Sequence, residues 1–169
     1  MAGILVTNPI RLDDLIRLVQ ERFRDGPPNG WLLGWDPARC LDSVGRAARP
    51  HHVGNTTSFD YGFCNQFEVA IGAGGRGECW VLTIHLSFVA PTFCLFWTRY
   101  KSPNKGVVNA GVPEGQRALE DEVRAAIQAE GFFELPDEWF DVHVDGVRLE
   151  LSDAADVTLN KCLFCDYDG

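Results

Sequence analysis

Two runs of alternating large and small or polar side chains, residues 78–88 and 92–101, dominate this chain, with a short break at Val89-Ala90-Pro91 between them. In the first run Trp80, Leu82, Ile84, Leu86 and Phe88 alternate with Cys79, Val81, Thr83, His85 and Ser87. That period of two places the larger apolar groups on one face of a strand. In the second, Phe93, Leu95 and Trp97 alternate with Cys94, Phe96 and Thr98, so both faces carry bulk. Pro91 has no N–H to give to a ladder and belongs at the bend or at the start of the second strand. The two runs predict a long β-hairpin at the centre of one antiparallel sheet.

The same alternation returns over 59–73, where Phe63, Asn65, Phe67, Val69 and Ile71 share a face opposite Cys64, Gln66, Glu68 and Ala70. A glycine-rich turn over 72–77 leads into the hairpin. It is no phosphate loop, because no Lys-Ser/Thr follows and a strand rather than a helix comes next. Helical spacing appears twice. Over 4–25 a short apolar piece precedes Leu12, Leu15, Ile16, Val19 and Phe23 at steps of three and four, and Gly26-Pro27-Pro28-Asn29-Gly30 ends the stripe. Over 115–130 Leu119, Val123, Ala126 and Ile127 form a second stripe, with Gly131 placed to close the helix.

Between these signals, 31–58 shows little regularity beyond a helical turn within 36–41. It predicts a covering loop, which Trp31 and Trp35 make a candidate binding element. Residues 102–106 read as loop. Val142–Val144 and Val147–Leu151 flank Asp145-Gly146, a type I′ hairpin signal, and 157–165 reads as a last strand. The order predicts a single α+β domain over 1–169: one antiparallel sheet of five to six strands with two main helices packed on one face.

Composition adds little to the fold but changes the functional picture. An apolar share of 46% and an aromatic share of 11% support a folded globule. No run approaches the roughly 18 apolar residues of a membrane span, and the N-terminus lacks the basic and apolar regions of a signal peptide. The expectation is a cytoplasmic protein without a membrane partner. Net charge is −9, and it is uneven: residues 1–113 hold 9 acidic and 11 basic side chains, residues 114–169 hold 15 acidic and 4 basic. The second segment reads as an acidic interaction surface or as a solvated helix with its loops. The same balance disfavours nucleic acid, whose phosphates are bound by Lys and Arg.

Cys162-Leu163-Phe164-Cys165 is the most motif-like item. A C-x-x-C pair is half of a zinc site, a redox pair, or two core cysteines. A zinc site needs two more ligands, and no second C-x-x-C or H-x-x-x-H exists, so Cys40, Cys64, His51 or His52 complete one only through the fold. A redox pair normally opens a helix, whereas in a regular strand these two side chains point to opposite faces. The six cysteines are expected to be free thiols, with no stoichiometric zinc and no cofactor. His85 sits mid-strand among the polar-face residues and His143 between two valines, and neither has a glycine elbow beside it. No catalytic residue is assigned.

A binding protein is the remaining class. The ending LPDEWFDVHVDGVRLELSDAADVTLNKCLFCDYDG, the last third of the chain, resembles the hairpin-and-final-strand regions of immunity proteins from bacterial toxin–immunity systems. The resemblance implies an inhibitor that occludes a toxin's active site, the partner being a basic effector domain. Its working surface would draw on Glu120, Asp121, Glu122, Asp137, Glu138, Asp141 and Asp145, with Trp139 or Trp35 as anchor. The alternatives are a small enzyme with a Cys/His or carboxylate pocket, and a metal-binding structural or regulatory protein.

Overall fold

Alternation becomes three long central strands, and the helical stripes become two helices that serve different parts of the core. The structure is a computed structural model in which residues 9–72, 78–102 and 104–167 are described. The expected turn over 73–77 and the apolar piece at 4–8 lie outside these residues. In chain order the elements are α1 (Leu12–Arg22), α2 (Leu41–Ala47), β1 (Val53–Asn55), β2 (Cys64–Gly72), β3 (Cys79–Ser87), β4 (Thr92–Ser102), β5 (Lys105–Val108), α3 (Arg117–Ala129), β6 (Phe133–Glu134) and α4 (Leu159–Leu163). No described helix is long and apolar enough to cross a membrane.

The sheet runs β1-β2-β3-β4-β5, each neighbour antiparallel. The β3–β4 hairpin lies near its middle, and the break at Val89-Ala90-Pro91 forms the bend. β6 pairs with β4 in parallel, Thr92 opposite Phe133, so the sheet is mixed rather than purely antiparallel. The reason is the intervening helix. α3 carries the chain back to the end where β4 began, and a strand that returns after a crossover helix pairs in parallel. Phe133 N–H donates to Pro91 O and Leu135 N–H to Phe93 O, at 2.7 and 2.9 Å.

Register assigns the two faces. Phe67, Ile84 and Leu95 are cross-strand partners, as are Val69, Leu82 and Trp97. Five of these, with Ile71, Leu86 and Phe93, belong to one core cluster, against which the half-buried Leu95 packs, and Val44 of α2 and Val123 and Ile127 of α3 join it. Cys64 and Cys94 fall on the other face, where they cluster with Leu15 and Val19 of α1 and with Leu159, Cys162 and Leu163 of α4. The single helical layer expected from the sequence therefore gives way to helices divided between two clusters. Trp80 and Leu119, both expected in the core, are only partly buried.

Three local readings are corrected. The 31–58 segment is not one irregular loop: it holds α2 and the edge strand β1, because Val44 and Ala48 are both buried beneath the sheet. The expected loop at 102–106 includes the start of β5. The expected C-terminal hairpin and last strand are absent among the described residues. Asp145-Gly146 does turn, with Gly146 at φ +73°, but Val144 N–H donates to Val157 O and Leu159 N–H to Val142 O. The arm before the turn is thus paired with residues 157–159 and unavailable to 147–151. From there the chain coils into α4, capped by Thr158 accepting from Lys161 N–H at 3.3 Å.

Candidate functional site

The acidic residues of the second segment fall into two groups. Glu120 is 7% exposed. One of its oxygens accepts Trp97 Nε1–H at 2.8 Å and the other accepts from Arg124 at 2.7 Å. Arg124 also donates to Asp121 at 2.9 Å and to Glu134 at 2.6 Å. One guanidinium therefore faces three carboxylates, and the group keeps an excess of negative charge. Glu122 on α3, Asp137 and Glu138 on the single turn over Asp137–Trp139, and Asp141 just beyond it are exposed. None of these four holds an ion pair among the described residues. Asp145 is exposed and lies 2.9 Å from the His143 ring nitrogen Nε2.

The expected aromatic anchors are both engaged internally. Trp35 donates its Nε1–H to the buried Asn65 at 3.1 Å and lies beneath the Arg39 guanidinium. Asn65 in turn donates to Asp36 O at 3.0 Å, which ties the 35–39 segment to β2. Trp139 packs against Phe133, centroids 6.0 Å apart. The tryptophan that meets solvent most is Trp31, 58% exposed beside Leu32 at 89% and Leu33 at 63%, with its ring edge on Phe59. Elsewhere Arg46, Arg49, His51 and His52 line an open hollow of about 530 Å³.

The third constellation is one that no spacing in the sequence announces. Cys64 opens β2, and His85 of β3 lies diagonally from it, opposite Gln66 on the same face. Cys165 arrives from the far end of the chain. Gly62 and Cys165 form an antiparallel bridge, with Phe63 N–H donating to Phe164 O at 2.7 Å and Asp166 N–H to Tyr61 O at 2.9 Å. The Cys64 and Cys165 sulfurs and a His85 ring nitrogen all lie within 4.8 Å of one another. Cys162, the other half of the C-x-x-C pair, is fully buried in the core, where desolvation pushes its thiol up to about 12.

Gly62 is what lets the 58–62 turn deliver this junction. A Cβ there would stand 2.5 Å from Ser58 O, a backbone atom that cannot step aside. Gly62→Ala is expected to cost about 1–3 kcal/mol of stability, read from the midpoint of a urea unfolding curve. An unchanged midpoint would mean the turn is looser than drawn.

The electrostatics of the group follow from burial. Burial holds Cys64 well above the usual thiol range, and its hydrogen bond to Cys165 adds to that. The same hydrogen bond lowers Cys165 against its own burial, aided by Tyr167, so Cys165 is the sulfur that ionises first. Tyr167 is pushed up to about 12 by burial and by the neighbouring Cys165. The His85 ring sits between Phe96 and Phe164, at 5.2 and 5.8 Å, and burial lowers it to about 4. A thiolate–imidazolium nucleophile needs a protonated ring, whereas this imidazole is neutral near pH 7. The group thus offers lone pairs rather than an activated nucleophile. Comparison with protein-family models, curated proteins and solved structures finds no match to this chain.

Proposed function

We propose that this chain is a protein-binding inhibitor of the immunity type, which occludes the active site of a basic toxin domain with an acidic surface on α3 and the 137–145 segment. The observation that supports this reading is the set of exposed carboxylates at Glu122, Asp137, Glu138 and Asp141, unpaired among the described residues. Left unpaired, they project a negative field that speeds encounter with a basic partner and complements a groove built for phosphate.

Affinity capture from the native host, followed by growth rescue, tests the reading. The captured partner should be basic and toxic when expressed alone in a sensitive cell, and co-expression of this chain should restore growth. With the purified pair, association should slow as salt rises. Reversing two charges together, Glu122→Lys with Asp141→Lys, should slow association by about tenfold or more in stopped-flow mixing. A partner without toxicity, or association indifferent to both salt and the reversals, would sink the proposal.

A further inference from the structure

The geometry points to a metal site independent of the inhibitor reading: Cys64, His85 and Cys165 bind one Zn²⁺ through two sulfurs and an imidazole nitrogen, with the fourth position open beside Tyr167. Three donors from three separate segments converge within 4.8 Å, and β2, β3 and the Gly62–Cys165 bridge fix their backbones. A tetrahedral zinc, with bonds of about 2.3 Å to sulfur and about 2.0–2.1 Å to nitrogen, sets its two sulfurs about 3.8 Å apart and sulfur from nitrogen about 3.6 Å. The contraction required is at most about 1.2 Å, within reach of small side-chain rotations.

A second observation is independent of these distances. The His85 imidazole has ring contacts with Phe96 and Phe164 but no side-chain hydrogen bond among the described residues. The half-buried ring is therefore not committed to another side chain, and one of its nitrogens lies within 4.8 Å of the two sulfurs. Donor chemistry selects the ion. Two thiolates and an imidazole suit zinc and reject magnesium and calcium, which take oxygen. Charge agrees as well. Two thiolates and a neutral imidazole on Zn²⁺ sum to zero, so the buried site holds no uncompensated charge. Glu134 and Asp137, which both act on the adjacent Cys94, add a field that favours a cation.

The proposal replaces the sequence expectation of no zinc, and the reason is where the two cysteines of the C-terminal segment go. The C-x-x-C pair splits, Cys162 entering the core while Cys165 meets Cys64 and His85 instead. An ion there clamps the 164–166 segment onto β2 and β3, so its role is to fasten the C-terminal end to the sheet.

Cobalt titration of the full chain, purified with reductant and chelator and then freed of chelator, tests this. Uptake should saturate at one Co²⁺ per chain, with thiolate charge-transfer absorption and the visible bands of tetrahedral cobalt, and Zn²⁺ should displace it. Cys165→Ser should leave roughly half the charge-transfer intensity, one thiolate remaining of two, and weaken affinity by about a hundredfold or more. Cys79→Ser, a thiol at the far end of β3, should change neither. Zinc should raise the melting temperature of the wild-type chain and not that of Cys165→Ser. Should a variant fail to fold, the wild-type titration decides alone. No charge-transfer band in the reduced wild-type chain, a band indifferent to Cys165→Ser, or a Cys64–Cys165 disulfide forming in a chain that takes up no metal when reduced would each overturn the site.

Discussion

Leu82→Ala is expected to remove about 2–5 kcal/mol of folding stability. Leu82 is fully buried, flanked across the ladders by Val69 and Trp97, and shares a cluster with Val123 and Ile127 of α3. Paired strands on both sides hold the backbone in place, so the hole left by the isobutyl group cannot close by collapse, and the cavity cost adds to the lost transfer energy. Val81 provides the contrast. It is next in the chain but points to the other face, where it is only partly buried, and Val81→Ala should cost about 1 kcal/mol or less. Urea unfolding of both variants decides it. Equal, small losses would mean that the face assignment drawn from register is wrong.

Register was legible because alternation is a local signal with a strict period. Trp80 through Leu86, and Phe67 through Ile71, state which side chains face inward without reference to anything distant. The stripes of α1 and α3 are local in the same sense. What failed was competition between local signals. Residues 157–165 contain enough β-branched and aromatic side chains to read as a strand, yet Leu159, Cys162 and Leu163 stand at helical spacing, and all three are buried. Thr158 in front of them is a cap. Asp145-Gly146 announced a turn correctly, but a turn does not choose its strands. The arm before it found residues 157–159 as a better-placed partner.

The candidate sites divide along the same line. Charge asymmetry is visible in composition, so the acidic segment could be named, but pairing is not. Nothing local distinguishes Glu120, buried on Trp97 and Arg124, from Glu122 two residues later in solvent. The full Cys64, His85 and Cys165 group was beyond reach, since the β2–β3 register sets Cys64 near His85 but only the Gly62–Cys165 bridge adds Cys165 to them. The sequence did offer Cys165 as half of a C-x-x-C pair and Cys64 as a ligand the fold could add, but it paired Cys165 with Cys162 and did not bring in His85.

Glu120→Ala is expected to cost about 3 kcal/mol, because truncating one member of a buried, hydrogen-bonded charge network strands its partners. Trp97 Nε1–H would lose its acceptor inside the core, and Arg124 would keep only Asp121 and Glu134. Glu120→Gln retains an oxygen for the Trp97 indole and should cost about 1 kcal/mol. The pH dependence separates charge from shape. Burial alone would raise the Glu120 carboxyl, but the hydrogen bonds from Arg124 and Trp97, with the charges of Arg124 and Arg117, outweigh it and hold the group below its ordinary value. A carboxyl whose folded pKa is depressed contributes stability above its unfolded pKa of about 4.3, and that contribution is lost as pH falls through the folded value. Wild-type stability should therefore drop more steeply below about pH 4.3 than that of Glu120→Gln, which carries no proton-linked charge at this site. Unfolding free energies measured by urea at several acidic pH values give the two slopes. Parallel slopes would show that the Glu120 carboxyl titrates alike in the folded and unfolded chain, so that Arg124 and Trp97 do not hold it below its ordinary value.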